Sequence, residues 1–218
     1  MNLYEKILNN QEYLTLTEKI GKMKFITDGK WDWEHGLGHY KRVSEYVKKI
    51  LEQLNATKRE IDLGMAAALL HDIGLSESGT NKTDHALKSS MMFKEFLNDT
   101  DITKDEIEIL ENAIKDHSKG NEINSNIGLA LVLADKLDVT YHRTINSSIQ
   151  DEMNKEIQKI KNVDIIINEQ DLIVKYTVDG NLNLDILLGW EKAITIPKKI
   201  ADYLDKNYIL MVNGEIKN

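Results

Sequence analysis

The chain has no cysteine and a single proline in 218 residues. Without thiols it can build neither a disulfide framework nor a thiolate metal site, so any metal must rest on imidazole and carboxylate groups. One proline and twelve glycines are too few for a many-turned β fold. Together with abundant Leu, Ile, Lys and Glu they favour long helices, so a mainly α chain is expected. No apolar run approaches the roughly 20 residues that cross a bilayer. The N-terminal MNLYEKILNN lacks the basic-then-apolar pattern of a secretory signal. A cytoplasmic location with no membrane partner is therefore expected. A formal charge of −8 opposes attraction to nucleic-acid polymers and anionic surfaces, which leaves a compact soluble substrate as the expected partner. The length suits one main domain with a small appendage.

Helical spacing runs from Trp33 to about Leu54, through His39, Val43, Val47, Ile50 and Leu54. Thr57 and Glu60 have the spacing of a capping box, and the helix they start reaches His71-Asp72, with Gly74 expected to close it in a left-handed conformation. After a polar loop from Ser76 to Lys82, a helix from His85 to about Asn98 is expected. Thr103 and Glu106 repeat the capping-box spacing and place His117 inward at the far end of a helix stopped near Gly120. Residues Ile127 to about Tyr141 are apolar nearly all round, which predicts a buried helix with Asp135 in its middle. A polar helical stretch from Asn146 to Lys161 follows. Then Val163–Asn168, Leu172–Val178 and Leu182–Leu187 read as a small antiparallel sheet, Pro197 as the start of a short helix toward Leu204, and Tyr208–Val212 as one more strand. The expected division is 1–161 as a helical bundle and 162–218 as a small α+β appendage.

An ionised Asp135 in an apolar helix needs a partner to offset its desolvation, and a metal or a buried cation would serve. His71-Asp72 sets an imidazole and a carboxylate side by side at a helix end. Alone, that pair also fits a helix-terminal cap, and His39, His85 and His117 singly fit hydrogen-bonded buried rings. Together they form the order His, His-Asp, His, His, Asp, each member near an inward face or a helix end.

In that order, and in His39-Tyr40-Lys41-Arg42-Val43, Leu70-His71-Asp72-Ile73-Gly74 and Leu133-Ala134-Asp135-Lys136, the chain resembles the HD-domain superfamily over about residues 33 to 145. The resemblance implies an HD-domain helical bundle. His39, His71, Asp72 and Asp135 would hold one metal, and His85, His117 and the bridging Asp72 a second. Two divalent ions are implied, iron foremost, with manganese, zinc, nickel or cobalt also suited to the ligands. The expected activity is a phosphohydrolase that cleaves a phosphate ester or anhydride of a small substrate, a nucleotide by preference, through a hydroxide between the metals. Lys136, Arg143 and His142 are candidates to bind substrate phosphate, and His35 or His142 to pass a proton to the leaving group. Leu75 stands where cyclic-dinucleotide phosphodiesterases of this superfamily carry lysine, and their Gly-Tyr-Pro motif is absent. HD-fold diiron oxygenases share the six-ligand pattern, and a nucleotide-sensing module is a third alternative. Oligomerisation stays open.

Overall fold

Three helices of the N-terminal half start at capping boxes, Asn2/Glu5, Thr57/Glu60 and Thr103/Glu106. The computed structural model describes residues 1–27, 30–31, 33–98, 100–118, 123–144, 152–183, 185–186 and 191–217. It divides into two compact units, Met1–Asp135 and Lys136–Asn218.

Numbered in chain order, the helices of the first unit are α1 (Leu3–Leu8), α2 (Gln11–Lys22), α3 (Leu37–Gln53), α4 (Lys58–Leu70), α5 (His85–Met92), α6 (Lys104–Asp116) and α7 (Asn126–Leu137), the last crossing into the second unit. A two-stranded ribbon, β1 (Ile26–Thr27) and β2 (Lys30–Trp31), separates α2 from α3. The helix expected from Trp33 begins only at Leu37, because Gly36 is extended at φ −147° and no side chain caps the helix there. α3 and α4 pack closely at Gly64, where a Cβ would lie 2.5 Å from Leu51 and 2.9 Å from Val47. Ser44 adds a hydroxyl bond to the Met65 carbonyl. Asp62 of α4 accepts the Leu3 and Tyr4 amides at 2.9 Å each and so caps α1 across the fold.

Arg59 of α4 grips Glu106 of α6 with two bonds, Nε to Oε1 at 2.6 Å and a terminal nitrogen to Oε2 at 2.9 Å. The guanidinium bond draws the Glu106 carboxyl down to about 2. Glu106→Gln is expected to lower stability by about 1 kcal/mol at neutral pH, the value being held down by solvent screening of the one-third-exposed guanidinium. Because the folded carboxyl lies below its ordinary 4.5, this contribution is whole above that pH and is lost as the pH falls toward 2. Urea unfolding at pH 7 and at pH 3 checks it: the gap between wild type and variant should narrow in acid.

Gly74 is not left-handed. It lies in a 3-10 turn, Ile73–Glu77, and what requires glycine is close approach: a Cβ would collide with the His85 carbonyl and the Ser89 amide. α7 ends at Leu137 rather than near Tyr141, with the Val139 amide turned back to the Leu137 carbonyl at 2.8 Å. Asp135 therefore sits in the last turn and not mid-helix. Gly120 lies outside the described residues.

In the second unit, a 3-10 turn (Tyr141–Thr144) and α8 (Glu152–Ile157) precede a sheet of β3 (Ile160–Ile167), β4 (Asp171–Val178), β5 (Asn207–Val212) and β6 (Glu215–Ile216) in that order. The helical stretch expected to Lys161 stops earlier, since β3 begins at Ile160; its residues 146–151 lie outside the described ones. The sheet is mixed rather than antiparallel. β4 and β5 run parallel, because α9 (Glu191–Tyr203) forms the crossover that parallel neighbours require. Pro197 sits inside α9 instead of opening it. The strand expected over Leu182–Leu187 does not form at its described residues. Asn183 accepts from the Asp185 amide and gives its own amide to Glu156, local bonds that replace a ladder, and 185–186 are helical. Residues 184 and 187 lie outside the described ones. Among the described residues no helix is long and apolar enough to cross a membrane.

Candidate metal centre

Three helix ends and two helix starts converge on Asp72. The first turn of α3 supplies His39. His71 is the C-cap of α4 and Asp72 follows it. His85 opens α5, His117 is the C-cap of α6, and Asp135 comes from the last turn of α7. Tyr13 of α2, itself buried, ties the α4 end in place through its hydroxyl to the Leu69 carbonyl at 2.9 Å. All six predicted ligands belong to the first unit and are brought together there.

The imidazoles are oriented by the main chain. His71 Nδ1 donates to the Ala68 carbonyl at 2.7 Å, His85 Nδ1 to Lys82 at 2.9 Å and His117 Nδ1 to Ile114 at 2.6 Å, each three residues back. A proton fixed on Nδ1 leaves the Nε2 lone pair bare, the form that binds metal. Those Nε2 atoms turn toward carboxylate oxygen. His85 and His117 face Asp72 Oδ1 at 3.4 and 3.3 Å. His39 and His71 face Asp72 Oδ2 at 3.9 and 3.5 Å, and Asp135 Oδ1 at 3.4 and 3.7 Å. Asp72 thus presents one oxygen to each pair of histidines.

The site is deeply buried: His39 and His71 are fully enclosed, and His117 and Asp72 nearly so. Burial pushes the Asp72 carboxyl upward, but His71, His117, His35 and His85 outweigh it and hold it well below the ordinary aspartate range. Burial brings His117 down to about 4 and lowers His85, which keeps both rings neutral. For His71, burial is overcome by Asp72 and Asp135, which raise it.

Two observations fit this donor set to metal. His71 Nε2 and Asp72 Oδ1 are buried yet make no hydrogen bond among the described residues, a costly state in protein alone. Ligand atoms about 2.1 Å from a shared ion stand roughly 3.0–3.4 Å apart, close to the separations seen here. Among the described residues, three groups gather tightly enough to share an ion: His35, His39 and Asp72; His39, His71 and Asp135; His71, Asp72 and His117. His85 stands outside all three groups, although it reaches Asp72.

His35 is the member whose place the sequence did not reveal. Expected as a proton carrier, it lies buried with Nδ1 3.0 Å from Asp72 Oδ2. Its position four residues before His39 was visible, but the contact depends on the extended backbone ahead of α3. Lys136, His142 and Arg143 fall in the second unit. Lys136 is buried, Arg143 is buried with its guanidinium 3.4 Å from Asp138, and His142 is exposed, its ring 3.9 Å from that of Tyr141.

Residues 36–140 match the HD domain family. An uncharacterized protein of Clostridium beijerinckii is 32% identical over 138 residues, which cover 63% of this chain and 83% of that protein. A crystal structure of a predicted HD superfamily hydrolase from an uncultured Thermotogales bacterium is similar at 24% identity and a TM-score of 0.46, covering 64% of this chain and 75% of that one.

Proposed function

We propose that this chain, whose residues 36–140 match the HD domain family, is a metal-dependent phosphohydrolase acting on a phosphate ester or anhydride of a small substrate, a nucleotide by preference. The observation that carries the reading is the buried, ionised Asp72 with the Nε2 atoms of two histidines turned to each of its oxygens. His39, His71, Asp72 and Asp135 would hold one divalent ion, and Asp72, His85 and His117 a second, with iron proposed first. Bound there, the ions would supply a hydroxide nucleophile at neutral pH and draw charge from phosphoryl oxygens.

The chain's own part is to keep the ligands in the binding form. The Nδ1-protonated rings of His85 and His117, kept neutral by burial, offer lone pairs without waiting for a proton to leave, and enclosure of the site excludes competing water. Lys136, Arg143 and His142 are proposed to meet substrate phosphate, on the chemistry of their side chains.

The test is metal content and phosphate release in one preparation. Purified without chelator, the protein should carry two ions per chain and release phosphate from members of a nucleotide and phosphodiester panel. Two irons with oxygen uptake and no phosphate release would overturn the hydrolase in favour of an oxygenase; bound nucleotide without turnover would mean a sensor. His85→Ala and His117→Ala should each lower the count from two ions to one while the fold is kept, measured by elemental analysis and circular dichroism. A count that stays at two would end the dinuclear assignment.

A further inference from the structure

We infer that His35 is a positioning residue that fixes the orientation of Asp72 by donating a hydrogen bond to its Oδ2, an inference that rests on the metal-centre reading above. Five of the six histidines crowd this site, and they differ in what they present to it. His39, His71, His85 and His117 turn Nε2 inward at 3.3–3.9 Å from Asp72. His35 turns Nδ1 inward, and at 3.0 Å it makes a hydrogen bond. An ionised carboxylate can only accept, so Nδ1 carries the proton and has no lone pair to give an ion.

The ring is held for this task. It is 8% exposed, its edge-to-face contact with Phe25 spans 5.5 Å at 89°, and Phe25 is buried in a cluster with Ile20 and Leu75. A second edge contact, 5.7 Å at 89°, sets it against His39. The terminal torsion of an aspartate is broad and roughly two-fold, so the carboxylate needs an external partner to choose one plane. With Oδ2 held by His35, Oδ1 faces His85 and His117 while Oδ2 faces His39 and His71. The carboxylate is thereby set to serve both ligand pairs.

The experiment strips the protein with chelator and titrates it with Mn2+ by calorimetry, comparing wild type with His35→Phe and His35→Asn. Phenylalanine keeps the ring against Phe25 and removes the donor; the asparagine amide nitrogen can stand near the place of Nδ1. Loss of a partner that orients a metal ligand costs about 10- to 100-fold in affinity. That weakening is expected for His35→Phe, with two Mn2+ still bound at saturation and the apoprotein melting close to wild type, and asparagine should restore most of it. A His35→Phe protein that binds Mn2+ like wild type would overturn the inference. So would loss of one whole Mn2+ equivalent in both variants, which would make His35 a ligand. Neither readout uses turnover. Two Mn2+ on the wild type without phosphate release would sink the hydrolase reading while the affinity ratio still decides the role of His35, whereas no Mn2+ on the wild type would remove both.

Discussion

Asp72→Asn is expected to empty both metal positions at once and to cut phosphate release at least about 10³-fold, beyond the 10- to 100-fold that loss of an outer partner costs. Asparagine preserves shape and can still accept from His35, so the fold should survive. What disappears is the negative charge. One oxygen of Asp72 faces His85 and His117, the other His39 and His71, and the side chain is 3% exposed. Among the described residues no second carboxylate is set between the two ligand pairs: Asp135 Oδ1 stands within ion-pair distance of His39 and His71. Single variants at His85 or His117 remove one ion each under this scheme, whereas Asp72→Asn removes two. Elemental analysis of the variant decides it, and retention of even one ion at full occupancy would show that the carboxylate is not shared.

Gly74→Ala is expected to destabilise the chain by about 3 kcal/mol, the upper end of overpacking costs, and to lower the melting temperature by about 6–12 °C for a chain of this size. The added methyl would meet main-chain atoms, the His85 carbonyl and the Ser89 amide, which cannot swing aside as a side-chain tip would. The Gly74 amide also donates to Ser89 Oγ at 2.8 Å, so α5 is tied to this turn at both points. Relief of the clash must move α5, and His85 moves with it. The variant should therefore lose the second ion as well as heat stability. Gly79→Ala is the control. Its backbone is left-handed at φ +63° but nothing lies within 4 Å of the added carbon, so the cost should be near 1 kcal/mol with metal content unchanged. Equal melting temperatures for the two variants would show that close approach is not what Gly74 provides.

The convergence of these six side chains was legible because helical period and capping boxes report where side chains point. Thr57 and Thr103 begin α4 and α6, and counting forward brings His71 and His117 to their ends. What escaped depends on contacts between segments distant in sequence. The end of α7 at Leu137 is set by a backbone turn that apolar periodicity does not encode, and the shortfall moved Asp135 from mid-helix to the last turn. Gly74 carries the usual mark of a helix stop, yet its need for glycine comes from α5 eleven residues later. β4 and β5 pair in parallel because α9 lies between them, and of that helix only the part from Pro197 onward was expected, since proline reads as a start and the turns before it were missed. His35 was noticed as a residue but not as a neighbour of Asp72, since residues before α3 have no period to follow.

The three Nδ1 anchors have a consequence for how this centre tolerates change. Their acceptors are the carbonyl oxygens of Ala68, Lys82 and Ile114, atoms that every amino acid possesses. Replacement of any of those three side chains leaves the acceptor in place, provided the local turn is kept. The tautomer of each ring is thus inherited from backbone geometry and is insulated from neutral drift at the neighbouring positions. His35 lacks that protection. Its acceptor is a side chain, so the inferred hold on Asp72 changes when either residue is replaced, and it is there that a lineage of such proteins would weaken or retune the centre with a single codon change.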